Sequence, residues 1–413
     1  APVHEALKNA ETVLLLNDFT GGAKATGTKS GVYTVNAKYA GEQGNNISVS
    51  FVPSPLADGA NTQDVTVTTI FGTKQVDQVK ITLPKANTDA IAKAGLTKEE
   101  QLEIHNDYVD ITFGTPAEVT SELVAKGEYP LYTAIFNGLT QSATNVTLTG
   151  GTNGTNNVVN DMDDYLENEF YAVATTAGWE ESSNIHKLLA EEIKILRENV
   201  GIKVRAVIPN TTNVAYNYEG VSTVLNGYVL NDGTVISPNI ATARFAGMSA
   251  SATPDQALTY AQLDDAVEAS PKLNNDKTIE ALNAGQIVFT TLAGSSVVIE
   301  QDINSLTKFT DTKSKDFSKN RVIRTLDEIC TNTAQTFETS FLGKVSNNEF
   351  GRDLFKANRV SYLSGLESQN VIRDFDPSDL NLAQGNDKDA VSMELYVTPV
   401  DAMEKLYVNL VVR

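Results

Sequence analysis

Cysteine and histidine are scarce in this 413-residue chain, which has one cysteine and three histidines. The single cysteine, Cys330, excludes a disulfide within the chain. It follows Ile329 in a helical pattern, so we expect a buried and unreactive thiol. Three scattered histidines, His4, His105 and His186, cannot supply the clustered ligands of a zinc site, and we expect each of them on the surface. We predict no metal site and no cofactor.

Long apolar runs are also missing, because the longest, such as residues 13–16, are far shorter than a membrane-spanning helix. Basic residues are outnumbered, with 32 against 52 acidic ones and a net charge of −20. Phosphate binding needs a cationic surface, so this balance argues against nucleic acid as a partner. The simplest interpretation is an acidic surface that keeps a concentrated protein soluble. The alternative is that like-charged copies repel one another and need specific pairing to assemble.

Catalytic motifs are missing as well. A phosphate-binding loop requires Gly-Lys-Ser/Thr after a strand, and the glycine-rich residues 27–31 and 150–154 lack that order, which favours turns. There is no Gly-x-Ser-x-Gly elbow and no serine, histidine and aspartate in contexts typical of a triad. The acidic group within residues 161–169 lacks the spacing of a calcium loop and favours a helix N-terminus instead. We predict no catalytic residue.

The most informative stretch is residues 297–341. Residues 297–304 predict a strand, and residues 318–341 predict a long amphipathic helix that is followed by Gly343 in a left-handed position. Steps of three and four place one stripe on a single face of this helix. The stripe consists of Val322, Leu326, Ile329, Thr333, Phe337 and Phe341. We expect the opposite face to meet water or a charged partner; it carries Lys319, Arg321, Arg324, Asp327 and Glu328.

The first third of the chain predicts a β-rich domain. Residues 3–11 favour a short helix, residues 12–16 a buried strand and residues 18–30 a loop. Short alternating runs then predict an antiparallel β-sandwich or barrel with one wet face, interrupted by a helical excursion at residues 96–105. These runs are residues 33–39, 47–51, 65–71, 76–83, 108–113 and 146–148.

The middle of the chain predicts an α/β unit. We expect Asn160 to cap a helix over residues 161–169 and Gly201 to end a helix over residues 181–199. Buried strands at residues 171–175 and 202–208 flank the second helix, and this spacing is typical of a parallel sheet. Further along we expect a strand pair at 221–230, helices at 240–251 and 278–283, and a sheet run at 286–291.

The last third, from about residue 294, predicts a separate α+β unit with a second helix over residues 352–368. It ends in two alternating strands: Met393, Leu395 and Val397 share a face in the first, and Leu406, Val408, Leu410 and Val412 in the second. An exposed terminal strand could be added to the sheet of a neighbouring copy. It could equally complete the sheet of its own chain, and the residues alone leave both open.

Several runs resemble contractile-tail sheath proteins of phages and phage-derived particles. The matches follow the family's order over nearly the whole chain, and as a set they are specific. They comprise residues 39–46, 150–154, 299–304, 315–324 and 399–407.

The resemblance implies a β-sandwich-like domain inserted into a subtilisin-like α/β domain and followed by a C-terminal α+β assembly domain. We assign residues 1–20 and 151–290 to the middle domain, 21–150 to the outward insert and 291–413 to the assembly domain. The resemblance further implies a structural subunit, not an enzyme, that forms stacked six-membered rings around a tail tube. Contraction would drive the tube through a target cell envelope.

The implied partners are identical copies, the tail tube protein, and baseplate and tail terminator proteins, with assembly in the host cytoplasm. Sheath relatives carry a longer N-terminal segment and this chain starts at Ala1 without a methionine, so we expect a trimmed or truncated form. Because the resemblance ties subunits through terminal arms, we assign a set of residues to the subunit interface. They are Leu406, Tyr407, Val408, Asn409, Leu410, Val411, Val412, Lys319, Arg321 and Arg324.

Two rival functions rest on the residues alone. The strand at 12–16 and the parallel unit at 171–208 are compatible with an α/β hydrolase-like enzyme that carries a β-rich accessory domain. The β-rich segment at 31–149 is compatible with a glycan-binding surface adhesin.

Overall fold

The computed structural model describes residues 2–16, 19–56, 58, 60, 62–84, 103–114, 130–156, 158–180, 184–294 and 296–411. Contacts between residues divide the chain into two compact units. The first combines Ala1–Leu16 with Met162–Arg413, and the second is Asn17–Asp161. The second unit therefore interrupts the first along the chain.

The strands of the Asn17–Asp161 unit are β1 (Phe19–Thr20), β2 (Lys24–Lys29), β3 (Tyr33–Ala40), β4 (Ile47–Pro53), β5 (Thr62–Phe71), β6 (Lys74–Pro84), β7 (Glu103–His105), β8 (Val109–Phe113), β9 (Thr144–Thr147) and β10 (Thr155–Asn156). They form two four-stranded antiparallel sheets, β2-β3-β8-β7 and β6-β5-β4-β9, and a small β1-β10 pair. Both large sheets contribute to one core, in which Tyr33 stacks on Phe51 with ring centroids 4.5 Å apart.

All six alternating runs are confirmed as strands, because period-two burial against one core is what their sequence specifies. The loop expected at residues 18–30 is wrong, since it contains β1 and β2. The helix expected at 96–105 is wrong where it can be compared: residues 103–105 form β7, and residues 96–102 lie outside the described part. A helix that the sequence analysis missed, α2 (Pro130–Thr140), contributes Ile135 and Leu139 to the core.

The other unit contains a four-stranded parallel sheet. The helices and strands of this part of the chain are α3 (Val158–Asn168), which begins in the Asn17–Asp161 unit, β11 (Val173–Thr175), α4 (Ile185–Ile195) with a π turn at Leu196–Val200, β12 (Arg205–Pro209), β13 (Val221–Val224) and β18 (Gln286–Ile287). The order β11-β12-β13-β18 is parallel throughout, which confirms the strand–helix–strand prediction. Gly201, at φ 93°, ends the helical segment as expected. Asn160 lies inside α3 and is not its cap, and β11 is half-exposed rather than buried.

The same unit also contains two three-stranded antiparallel sheets and a buried helix. The elements are β14 (Gly227–Leu230), β15 (Val235–Ile236), α5 (Pro238–Ser251), β16 (Gln262–Leu263), β17 (Ala266–Ser270), α6 (Asn275–Asn283), β19 (Phe289–Leu292) and β20 (Ser296–Ile299). The sheet orders are β15-β14-β17 and β16-β20-β19. The strand pair expected at 221–230 is wrong as a pair, because β13 and β14 belong to different sheets. The strand expected at 297–304 ends at Ile299.

The N-terminal helix α1 (Pro2–Leu7) packs on α5. A Cβ on Gly247 of α5 would lie 2.4 Å from the carbonyl oxygen of Ala6, so this contact needs a glycine. Glu5 is buried and accepts hydrogen bonds from Lys8 Nζ and the Tyr228 hydroxyl, both at 2.6 Å. The buried strand expected at residues 12–16 is wrong. These residues pair with no described strand, and the leucines at 14 and 15 are exposed.

Two long helices dominate the C-terminal part of the same unit. The elements are α7 (Asn320–Ser340), α8 (Glu349–Ser368), β21 (Ile372–Arg373), β22 (Leu380–Gln384), β23 (Val391–Leu395) and β24 (Thr398–Pro399), with 3₁₀ turns at Lys315–Ser318 and Pro377–Asp379. Phe337 and Phe341 of the predicted stripe pack edge-on against Phe355 of α8, with ring centroids 5.5 and 4.8 Å apart. The amphipathic helix is thus confirmed, and Gly343 has the expected positive φ of 69°.

Candidate functional site

No catalytic or metal centre stands out in the described residues. They contain no group of three or more His, Cys, Asp or Glu side chains that could hold a metal ion. No helix in them is long and apolar enough to cross a bilayer. Two expectations for single residues are wrong. His186 is buried, with Nε2 donating to the Glu180 carbonyl at 2.9 Å and Nδ1 2.6 Å from Thr176 Oγ1, whereas Cys330 is exposed.

The C-terminal segment leaves the protein surface at Glu404. Residues 400, 402 and 404 are half-buried while 401 and 403 are exposed, the alternation of an extended chain lying on a surface. From 405 to 411 every residue is exposed, with Leu406 at 86% and Leu410 at 87%. The strand predicted at 406–412 is therefore wrong as an element of the isolated chain, because residues 406–411 pair with no described strand and Val412 lies outside the described residues.

Glu404, at the start of this segment, binds Thr259 and Lys319, and we call these three residues the Glu404 clamp. Thr259 Oγ1 donates to one carboxylate oxygen at 2.6 Å, and Lys319 Nζ forms an ion pair with the other. The Thr259 hydroxyl in turn accepts from the backbone N–H of Asp302 at 2.9 Å. The Glu404 side chain is only 8% exposed, so the pair is largely shielded from solvent. Sequence reasoning missed Glu404, although it lies inside the family-like run 399–407.

The charged face of α7 is largely buried, and Arg324 meets a charged partner within its own chain, one of the two alternatives that the sequence predicted. Arg324 donates from Nη2 to Asp302 Oδ2 and to the Gln256 carbonyl, both at 2.6 Å. Asp302 also accepts from Asn320 Nδ2 at 3.0 Å, so its charge is satisfied within the chain. Arg321 is 9% exposed, and its Nε has no partner among the described residues. Helical periodicity could not reveal this, because α7 is covered on two sides by other parts of its unit.

The β22–β23 hairpin offers sheet edges to which a strand could be added. The two strands pair with each other from Leu380 opposite Leu395 to Gln384 opposite Val391. Their sheet contains no third strand among the described residues, so each strand is paired on one side only. Unpaired backbone donors and acceptors along such an edge are what an added strand would use.

Comparison with known proteins identifies the family. The phage tail sheath protein central domain matches residues 151–305, and the phage tail sheath C-terminal domain matches residues 312–413. A Bacillus subtilis (strain 168) relative, the phage-like element PBSX protein XkdK, is 33% identical over 98% of this chain and 83% of its own. The chain belongs to the phage tail sheath protein family.

Solved sheath structures have the same fold. The sheath tail protein of Desulfitobacterium hafniense superposes with a TM-score of 0.71 at 32% identity, over 98% of this chain and 85% of that one. The sheath tail protein of Listeria innocua gives a TM-score of 0.62 at 27% identity, over 98% and 84% of the two chains. The family is structural rather than enzymatic, so the hydrolase-like alternative is wrong. This chain therefore has the mixed α/β architecture with several sheets that it shares with the solved sheath proteins.

Proposed function

We propose that this sheath subunit polymerises by strand addition, in which its C-terminal segment, residues 405–412, pairs with a sheet edge of an identical neighbour. The observation that supports the proposal most directly is the free segment itself. Its sequence is alternating and apolar, and its described residues, 405–411, are exposed beyond Glu404 and pair with no described strand of their own chain. Pairing with β22 or β23 of another copy would satisfy its backbone at roughly 1 kcal/mol per hydrogen bond.

In this proposal, Lys319 and Arg324, which the sequence assigned to the interface, do not contact the neighbour. They hold the start of the segment at Glu404 in place. Lys319 holds Glu404, and Arg324 holds Asp302, whose backbone orients Thr259 in the clamp. The proposed connection between subunits thus consists of an exposed strand that is held to its own subunit by the Glu404 clamp. If the clamp stays closed and the strand stays paired with the neighbour, the subunits could rotate without separating.

The larger assembly is what the resemblance to sheath proteins implies. We propose stacked six-membered rings around a tail tube, connected to baseplate and tail terminator proteins and assembled in the host cytoplasm. An extended state would convert to a shorter, wider one, with the energy held in differences between subunit contacts. We also assign residues 21–150 to an outward β-sandwich, 1–20 with 151–290 to a subtilisin-like domain, and 291–413 to the assembly domain.

The test is electron microscopy and sedimentation of the full chain, alone and with its tube protein. We expect rings or hollow tubes for the wild-type chain and their loss in Leu410→Asp, because a carboxylate would oppose burial of the segment. The matched control is Val235→Asp, at another exposed apolar residue of the same unit, 63% exposed. It should assemble as wild type does. A wild-type chain that stays monomeric with tube protein, or equal assembly of Leu410→Asp, would contradict the proposal.

A further inference from the structure

An apolar pocket lies at the C-terminal end of α7. It has a volume of about 390 Å³ and is open to solvent between the end of α7, the start of α8 and the beginning of β23. Its apolar lining consists of Phe337, Phe341, Leu342, Val345, Phe355 and Val391. Arg352 and Asp389 also line the pocket, so its lining includes one basic and one acidic side chain.

The free segment of the same chain starts at the opposite end of α7. Lys319, which holds Glu404, immediately precedes the helix, whereas Phe337 lies in its last turn. At a rise of 1.5 Å per residue these two positions are about 27 Å apart. Val397 packs against an apolar cluster that contains Ile329, near the middle of α7, and further along the chain Glu404 reaches Lys319 at the start of the helix.

In this structure the segment does not occupy the pocket of its own chain, because Leu406, Val408 and Leu410 are all exposed. These three side chains share one face of an extended strand and are 86%, 67% and 87% exposed. An apolar pocket and an apolar strand face therefore occur in every subunit, and in this structure the two are not in contact with each other.

We infer that the pocket takes an aliphatic side chain from the Leu406–Val408–Leu410 face of a second copy. The inference rests on the proposed strand exchange and adds a side-chain site to it. Val391 begins β23 and also lines the pocket, so a strand added beside β23 would enter the pocket's mouth. Backbone pairing is nearly independent of sequence, whereas the pocket would fix the register of the incoming strand and select copies of this chain.

The first experiment measures fluorescence anisotropy of a labelled peptide with the sequence of residues 405–413 as the full chain is titrated in. Ser346→Trp, at an exposed residue lining the pocket, should weaken binding about tenfold, roughly the factor expected for burial of one leucine side chain. Ser340→Trp is the matched control, an exposed serine of α7 outside the pocket, and should bind as wild type does. A peptide N-methylated on alternate residues tests backbone pairing separately.

The outcomes separate the two proposals. Weaker binding by Ser346→Trp alone supports the pocket. Equal binding by both tryptophan variants together with failure of the N-methylated peptide overturns the pocket and leaves strand exchange standing. No binding of the unmodified peptide to the wild-type chain overturns both.

A second experiment identifies the occupant. Full chain carrying a benzophenone amino acid at position 410 is mixed with ¹⁵N-labelled wild-type chain, irradiated and analysed by mass spectrometry. We expect crosslinks from the unlabelled segment to pocket peptides of labelled chains. Crosslinks confined to unlabelled chains at every mixing ratio would mean that the segment occupies its own pocket, and would overturn the inference.

Discussion

Arg197 and Asp327, which are 130 residues apart in the sequence, form a buried bidentate ion pair. The Nη1 and Nη2 atoms of Arg197 donate to the two carboxylate oxygens at 2.8 and 2.7 Å, and Nη1 also donates to the Val204 carbonyl at 2.9 Å. Arg197 belongs to the π turn that ends α4, and Asp327 belongs to α7. The pair therefore fastens the long C-terminal helix to the region of the parallel sheet.

Removal of one partner should be costly. Asp327→Ala leaves Arg197 buried without its counter-charge, and we expect a loss of about 3–5 kcal/mol in the free energy of unfolding, measured by urea denaturation. Glu268→Ala is the control, because it breaks an exposed pair with Lys272 at 3.8 Å and should change stability by less than about 1 kcal/mol. Similar losses in the two variants would contradict a structural role for the buried pair.

The hydrogen bond that attaches α1 also stabilises the fold. Burial, together with the hydrogen bond to Glu5, raises the pKa of Tyr228, so its hydroxyl is a permanent donor to that carboxylate. We expect Tyr228→Phe to lower the free energy of unfolding by about 1.5–3 kcal/mol, as for a lost bond to a buried charge. Tyr396→Phe removes a similar bond, to Glu394 at 2.8 Å on the exposed surface, and should have little effect.

Opening of the Glu404 clamp should be visible by hydrogen–deuterium exchange. In Glu404→Ala we expect residues 398–404 to exchange about tenfold faster, because a bond to a charged group worth about 1.5 kcal/mol is lost. Residues 406–411 should not change, since they are already exposed. Glu394→Ala, at an exposed glutamate outside the clamp, should exchange as wild type does throughout. Protection of 398–404 that persists in Glu404→Ala would show that the clamp does not hold the segment.

Stability of the Asn17–Asp161 unit should depend on His105 and on pH. Hydrogen bonds to Asp110 and, next, to Glu103 raise the pKa of His105 above its ordinary value of 6.5. A raised pKa in the folded state means that the stabilisation is complete below pH 6.5 and is lost as the pH rises through the raised pKa. The melting temperature of wild type should therefore exceed that of His105→Gln at low pH, and the difference should shrink at high pH. A constant difference would contradict this.

Local pattern was sufficient for elements whose apolar residues recur at the period of a helix or a strand. The stripe from Val322 to Phe341 predicted α7, and period-two alternation predicted β3, β4, β5 and β6. Gly201 and Gly343 were predicted as helix ends for the same local reason, since a positive φ is a property of one residue. The resemblance of spaced runs predicted the family, and the comparisons confirm it.

Predictions failed where the environment comes from distant parts of the chain. The residues of α7 left open whether Arg324 meets water or a charged partner, and they could not show that Asp302 and the Gln256 carbonyl of the same chain bind it. Residues 12–16 were predicted as a buried strand, but no strand pairs with them in the described structure. A strand forms only beside a partner strand, and the sequence of the segment does not show whether a partner exists. His186 looked solvent-facing because its sequence neighbours are polar, yet it is buried.

The amino-acid sequence by itself determined most of the periodic elements, the helix ends at Gly201 and Gly343 and membership of a structural tail sheath family, since these follow from residue order within short windows. Only the tertiary structure decided the sheet orders, the Arg197–Asp327 pair, the Glu404 clamp and the position of the pocket at the far end of α7. The physical reason is that ion pairs and sheet ladders join groups tens to hundreds of residues apart, and their geometry exists only once the chain has folded.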